Sequence, residues 1–277
     1  MVKKFIDPGH GGIDPGAVGN GLVEKELTLT IAKMIRDILV NEYQDVEVKL
    51  SREGDQTLSL NERTDMANEW GADFLLSVHI NATNGKANGY EDFIYPGSGD
   101  ATTAHQNVIH EEIMKQVDFY DRGKKQGNLH MLRESNMPAL LTENGFIDNP
   151  SDAAKLRRHA YLERIAQGHV NGFVRAFNLK EKAPKPPMWD GSEFKEGQIG
   201  RISILKRINL WKRDENNNLT FVRVLQPGDR YRVYGYDNLY GGQYNVGGGN
   251  WITKMEGYIK YETPSKAMMK KAAEFYK

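Results

Sequence analysis

The chain contains no cysteine. That excludes a disulfide scaffold, thiolate chemistry and any cysteine-ligated metal, so a metal here must be held by histidines and carboxylates. Long apolar runs are missing as well. No stretch approaches the ~18 uninterrupted apolar residues of a membrane helix, and no membrane insertion is expected. The opening Met1-Val2-Lys3-Lys4-Phe5-Ile6 meets Asp7-Pro8-Gly9 too early to form the apolar core of a signal peptide, so the expectation is accumulation in the cytoplasm. Net charge is also absent, with 37 Lys+Arg against 37 Asp+Glu.

What is present suits a folded protein of two domains: 277 residues, 39% apolar and 27% charged. The neutral total hides an asymmetry. Residues 1–180 hold 20 Lys+Arg against 26 Asp+Glu, a balance of −6, whereas residues 181–277 hold 17 against 11, a balance of +6. All 7 histidines lie in the first segment, while 14 aromatic residues lie in the shorter second one. Chemistry is therefore expected in the first part and a basic, aromatic-rich binding module in the second.

The first 180 residues alternate strand-like and helix-like patterns. Val2–Ile6, Val46–Leu50, Phe74–His79, Tyr90–Tyr95 and Ala139–Glu143 read as strands. Glu24–Tyr43, with Leu27, Ile31, Met34 or Ile35, and Ile38 at helical spacing, reads as an amphipathic helix, and Thr103–Val117 and Ala160–Phe177 read as helices too. Ser59-Leu60-Asn61-Glu62 is a capping box that opens a further helix running to about Trp70. This alternation predicts an α/β domain, a twisted sheet flanked by helices. Lys182-Ala183-Pro184-Lys185-Pro186-Pro187 then favours a stiff extended spacer. Beyond it, Ile199–Leu205, Thr220–Leu225 and Tyr231–Tyr236 read as short strands between Gly-, Asn- and Pro-containing turns, with Trp251–Ile252 and Gly257–Tyr261 as candidate additions. They predict a small, mainly β, SH3-like barrel, and Ser265–Tyr276 suits a terminal helix.

Four chemistry-bearing residues stand at the ends of these elements. His10 follows the first strand in Asp7-Pro8-Gly9-His10-Gly11-Gly12, Glu24 opens the first helix, His79 ends an apolar strand, and Glu143 ends another. Adjacent strand ends on one sheet edge are where α/β proteins place ligands. Two imidazoles and a carboxylate suffice for a catalytic zinc with an open position. Each residue alone has a plainer reading. A histidine in a Gly-rich turn can be structural, and a glutamate at a helix start complements the macrodipole. Glu143 resists such a reading, because a carboxylate beside Ala139-Leu140-Leu141 is costly to bury without a partner.

In their local settings these residues resemble a known family. His10 in Asp-Pro-Gly-His-Gly-Gly, Glu24 before Lys25, His79 in Ser-Val-His-Ile-Asn-Ala and Glu143 in Glu-Asn-Gly-Phe-Ile-Asp-Asn are similar to the zinc-dependent N-acetylmuramoyl-L-alanine amidases of the Amidase_3 type. So is Ser51-Arg52 followed by Leu58-Ser59-Leu60-Asn61-Glu62-Arg63. The resemblance spans residues 2–178 and implies a twisted mixed sheet, Zn2+ held by His10, Glu24 and His79, and Glu143 as the catalytic carboxylate. The implied reaction is hydrolysis of the amide between N-acetylmuramic acid and the L-alanine of the peptidoglycan stem peptide. Residues 198–262, with Leu210-Trp211-Lys212-Arg213 and Tyr234-Gly235-Tyr236, resemble the wall-targeting module of some phage and bacillus-type amidases. Residues 1–180 would then be the catalytic domain, 181–197 a Pro-containing linker and 198–277 a wall-binding domain. Its partners would be peptidoglycan and anionic wall polymers, not nucleic acid. With no signal peptide, such an enzyme would meet the wall only after another factor breaches the membrane, as a phage endolysin does.

Alternatives are a zinc peptidase cutting within the stem peptide and a non-catalytic wall-binding protein. Regulated family members can carry a helix that blocks the zinc. Only 63 residues separate His79 from Glu143, which leaves no room for one here. Arg52 and Arg63 read as structural rather than substrate-contacting, His130 is a reserve ligand, and Asn81 and Asn144 either line the site or cap turns. His105 and His110 read as solvated helix histidines, His159 and His169 as ordinary helix residues.

Overall fold

The computed structural model describes residues 1–277 and divides into two compact units, Met1–Lys182 and Ala183–Lys277. No helix is long and apolar enough to cross a membrane.

The first unit is built on eight strands: β1 (Val2–Pro8), β2 (Val18–Gly19), β3 (Leu22–Val23), β4 (Val46–Leu50), β5 (Phe74–Asn81), β6 (Tyr90–Ile94), β7 (Asp121–Gln126) and β8 (Ala139–Phe146). Six of them form one sheet in the order β4-β1-β5-β8-β6-β7. All neighbours run parallel except β6 and β8, so the sheet is mixed, as expected. The helices are α1 (Glu24–Glu42), α2 (Leu60–Trp70), α3 (Asp100–Gln116), α4 (His130–Arg133), α5 (Pro150–Leu156) and α6 (His159–Phe177).

Alternation along each strand divides the core in two. Ile6, Leu76, Val78 and Ile80 pack with Ile31 and Ile35 of α1, Ile109 and Ile113 of α3, and Ile165 and Phe173 of α6. Phe5, Leu75, Ala139 and Leu141 face the other way, onto Ala67 of α2 and Met131 and Leu132 of α4. Ser59 and Glu62 form the capping box that starts α2. Five elements of this unit went unread in the sequence: β2, β3, β7, α4 and α5.

The second unit has its own core. Its strands are β9 (Met188–Trp189), β10 (Ser192–Glu193), β11 (Gly200–Ile204), β12 (Ile208–Arg213), β13 (Leu219–Leu225), β14 (Arg230–Val233), β15 (Gly235–Asp237), β16 (Gln243–Gly247), β17 (Asn250–Thr253) and β18 (Ile259–Glu262). They form antiparallel sheets β14-β11-β18 and β13-β12-β17-β16-β15, with β9 and β10 as a separate hairpin inside the expected linker 181–197, just after the Pro-rich spacer 182–187. Ile202, Ile204, Leu210, Leu225, Val233, Tyr244 and Ile252 are buried together. Helix α7 (Lys266–Phe275) closes the chain, its start capped by Ser265.

Helices α3 and α6 approach closely because two glycines face α3. A Cβ on Gly172 would lie 2.9 Å from Ile109 Cα, and one on Gly168 would lie 2.8 Å from Ile113 Cα. Gly172→Ala gains about 1 kcal/mol of helix propensity, yet the added methyl meets backbone that cannot swing away. We expect overpacking to win, with a net loss of about 1–2 kcal/mol read by chemical denaturation. A more stable variant would show that the two helices can slide apart.

Candidate metal centre

The site begins where β1 leaves the sheet. Asp7, almost fully buried, accepts hydrogen bonds from Ser51 Oγ at 2.6 Å and Ser77 Oγ at 2.9 Å, and pairs with Arg63 Nη1 at 2.8 Å. Burial alone would favour the neutral acid, but Arg63 and the Ser51 hydroxyl hold Asp7 ionised, below the usual aspartate range. Arg63 also donates to Pro8 O at 2.9 Å and His10 O at 2.7 Å. Arg52, also buried, donates to Pro8 O, Gly9 O, Lys25 O and Thr28 Oγ1. Arg63 therefore makes the expected structural ion pair, and Arg52 clamps backbone carbonyls of the same loop without a carboxylate partner.

This clamp holds His10 in a left-handed backbone conformation, φ 61°, which costs a non-glycine residue about 1 kcal/mol or more. Its ring is oriented by Asp14, whose Oδ2 lies 2.8 Å from Nδ1, leaving Nε2 3.2 Å from Glu24 Oε2. Sequence reasoning missed Asp14; its place four residues after His10 in the same Gly-rich loop was the available signal.

Glu24 is buried at the start of α1 and fixed by two backbone donors, Ile80 N–H to Oε1 at 2.9 Å and Ala17 N–H to Oε2 at 2.8 Å. His79 Nδ1 lies 3.0 Å from Oε1. Burial opposes ionisation of Glu24, but hydrogen bonds with His10 and His79 more than compensate and hold it well below the ordinary glutamate range. Burial likewise opposes charging His10, while Glu24 and Asp14 outweigh it and raise the His10 pKa above the ordinary 6.5.

The ligand atoms of His10, Glu24 and His79 lie within 4.8 Å of one another. Two imidazoles and an anchored carboxylate form a donor set suited to a borderline cation such as zinc. The surroundings are cut to fit it: a Cβ on Gly9 would lie 2.6 Å from His79 Nε2, and one on Gly16 2.6 Å from Glu24 Oε2. A cleft of about 250 Å³ opens over His10 and His79, bordered by Asp14, Ser59, Leu60 and Met131.

Glu143 sits one strand beyond His79, paired with it in register between β5 and β8 and hence on the same sheet face. It lies outside both the ligand cluster and the lining of this cleft. Its Oε2 is buried and has no hydrogen-bond partner. Burial first, then the charges of Glu24 and Glu91, push its pKa well above the ordinary glutamate value. Glu91, its register partner on β6, is by contrast neutralised by Arg122 and Lys125 and bonded to Asn81 Nδ2 at 2.9 Å. Asn144 Nδ2 donates to His79 O at 3.1 Å, tying β8 to the end of β5.

The remaining histidines stand apart from the cluster. His130 Nε2 lies 3.4 Å from Thr64 Oγ1. His110 is not solvated as expected: it is buried between Asp92 at 2.8 Å and Asp121 at 3.1 Å. His105 is half-buried and stacks on Phe177. His169 is buried against Thr142 Oγ1, and His159 is exposed.

Comparison with known proteins gives this geometry a context. The profile of the N-acetylmuramoyl-L-alanine amidase family Amidase_3 matches residues 5–175. The chain is 60% identical over 183 residues to the N-acetylmuramoyl-L-alanine amidase CwlM of Bacillus licheniformis, covering 66% of this chain and 72% of that one. It is 42% identical over 184 residues to the endolysin of Bacillus phage SPP1, covering 65% and 67%. Among solved structures, the catalytic domain of the amidase CwlV from Bacillus (Paenibacillus) polymyxa superposes with a TM-score of 0.62 at 33% identity, covering 65% of this chain and 100% of that one. The family match ends before the second unit begins.

Metal uptake tests the cluster directly. His10→Ala and His79→Ala should abolish stoichiometric zinc binding, and Asp14→Ala should weaken it about 10–100-fold by freeing the His10 ring. Because protons compete with the metal for the histidines, affinity should fall with falling pH. The fall should set in above the ~6.5 of a free imidazole, since His10 holds its proton more tightly. Competition against a chromogenic chelator from pH 6 to 8 reads both, and a flat profile would count against these ligands.

Proposed function

The chain belongs to the N-acetylmuramoyl-L-alanine amidases, a family of peptidoglycan hydrolases, and from that premise we propose that His10, Glu24 and His79 hold Zn2+ and that Glu143 moves the protons. A bound Zn2+ supplies Lewis acidity, acidifying a water and polarising the scissile carbonyl. His10 and Glu24 are preset for their task, the one by Asp14 and the strained loop, the other by two backbone N–H groups, so little ordering remains when the ion binds. Glu143 takes the proton of the attacking water and returns it to the nitrogen of the leaving L-alanine as the C–N bond breaks. The carboxylate on the lactyl group of N-acetylmuramic acid and the free amine of the stem peptide are the products.

The observation that carries this reading is the contrast among three neighbouring carboxylates. Glu24 is saturated by histidines and N–H groups, Glu91 by Arg122, Lys125 and Asn81, and Glu143 by nothing. A carboxyl group whose surroundings favour the neutral form can carry a proton between two atoms at neutral pH. The amide specificity follows the family match and favours the bond at the sugar over bonds within the stem peptide.

Residues 1–180 would be the catalytic domain and 198–277 an SH3-like wall-binding domain, with the hairpin of the 181–197 linker folded onto the latter. Two antiparallel sheets around one small core and an excess of basic residues support that second assignment.

Glu143→Gln should keep its zinc and its substrate KM while kcat falls about 10²–10⁴-fold. Mass spectrometry of digested walls should find intact peptides beginning with L-alanine. Peptides cut internally would mean a stem-peptide peptidase, and loss of zinc in Glu143→Gln would mean that Glu143 is a ligand.

A further inference from the structure

The second unit holds a cavity whose chemistry differs from that of the metal centre. Strands β11 and β14 pair with Arg201 opposite Arg232 and Ser203 opposite Arg230. Strand alternation puts these four on one face, while Ile202, Ile204 and Val233 point into the core. The β9–β10 hairpin lies over the polar face. Arg232 donates to Glu193 O through Nε at 3.2 Å and Nη2 at 3.0 Å, and the Arg201 guanidinium stacks 4.7 Å from the centre of the Trp189 ring. Between hairpin and sheet is a cavity of about 130 Å³, bordered by Trp189, Ser192, Arg201, Arg230 and Arg232.

The charges around this cavity do not balance. Arg201 is neutralised by Asp190 at 2.8 Å and Glu262 at 3.0 Å. Glu193, the remaining acid on the rim, pairs with Lys195 and accepts from Tyr276. Arg232 donates only to a neutral carbonyl, that of Glu193, whose carboxylate lies within reach of its charge but is already paired with Lys195, and Arg230 has no hydrogen-bond or ion-pair partner. Two guanidinium groups two residues apart on one strand repel each other, and an oxyanion bridging them relieves that repulsion through charge-assisted, forked hydrogen bonds. The Trp189 ring and the Ser192 hydroxyl add an apolar face and a polar group of the kind a polyol or sugar needs.

We infer that the Arg230–Arg232 cavity binds a phosphodiester group of an anionic wall polymer, an inference that rests on the wall-binding reading of residues 198–277. The volume admits one phosphate with a few attached carbons, so affinity for whole walls comes from many repeats along the polymer. Nucleic acid shares the phosphodiester, but its binding without sequence preference uses an open groove with successive stacking rings. This recess offers one ring beneath a hairpin.

The test uses the full chain in the Glu143→Gln background, so that walls are not digested during sedimentation binding. Arg230→Gln/Arg232→Gln should bind intact walls about tenfold more weakly, as the loss of two charge-assisted contacts implies. Lys270→Gln/Lys271→Gln, which removes as many charges from α7, should change binding by less than about twofold. Walls stripped of phosphodiester polymers with hydrofluoric acid should bind the parent as weakly as intact walls bind the arginine double variant, and glycerol phosphate should compete with intact walls. Unchanged melting temperatures confirm folding, and Arg230→Lys/Arg232→Lys should recover part of the binding. If the parent binds intact walls and the arginine double variant binds them equally well, the phosphodiester site is wrong and the wall-binding reading stands. If the parent ignores intact walls, both fall. Equal binding of stripped walls, or tighter binding of single-stranded DNA that depends on the two arginines, would also overturn the inference.

Discussion

The buried ion pair between Asp7 and Arg63 is the contact on which the metal centre depends. Asp7 lies just before the end of β1 inside the protein, and Arg63 reaches it from α2 on the face of the sheet that carries the site. Neither charge would be tolerable alone, since removing one partner of such a pair costs about 3–5 kcal/mol. Together they do more than cancel. The remaining donors of Arg63 take the carbonyls of Pro8 and His10, and Arg52 takes those of Pro8 and Gly9 from the other side. The loop is thereby held by its backbone, which leaves the His10 side chain free to point at Glu24. The left-handed conformation of His10 persists because these carbonyl contacts over-determine it.

The cluster of His10, Glu24 and His79, with Glu143 beside it, was legible because each residue stands at or near the end of an element whose pattern is strong. His79 and Glu143 lie near the ends of apolar strands that run on to Asn81 and Phe146, Glu24 opens a helix with regular apolar spacing, and His10 follows a short strand at a Pro-Gly turn. Fold class followed from the same periodicities. What stayed hidden is physically different in kind. Strand β7 reads Asp-Arg-Gly-Lys-Lys-Gln, and at the edge of the sheet it needs no apolar alternation. His110 looks like a solvated helix residue until β6 brings Asp92 beneath it and β7 brings Asp121 beside it. Partners distant in sequence decide burial, and periodicity within one element carries no record of them.

The second unit obeys a different economy. A small β domain has little interior, so aromatic rings serve as its walls: Tyr244 stacks on Tyr261, Trp251 lies against Arg213, and Phe194 is buried below Trp189. The density of rings in the sequence is therefore largely accounted for by packing, although Tyr236, Tyr240 and Phe221 remain exposed. The basic residues of this unit differ in what they are tied to. Arg201 and Arg213 are tied to carboxylates, while Arg230 and Arg232 are not. A surface charge with a partner is largely structural; one without a partner, inside a concavity, is available to a ligand.

The same distinction governs the first unit, with the signs reversed. A protein optimised only for stability would neutralise every buried carboxyl group, and this one does so for Asp7, Glu24 and Glu91 by three different means: a guanidinium, a pair of backbone amides with histidines, and two cations on a neighbouring strand. Glu143 stands in the middle of these compensated groups and receives nothing. Leaving a buried acceptor unsatisfied costs about 1–3 kcal/mol, and the two carboxylates nearest in charge make ionisation harder still. A dication held by His10, Glu24 and His79 would change the sign of that field and allow the carboxylate to form. Under the proposed reading Glu143 would be coupled electrostatically to the ion without ligating it, which is what a proton carrier beside a metal requires.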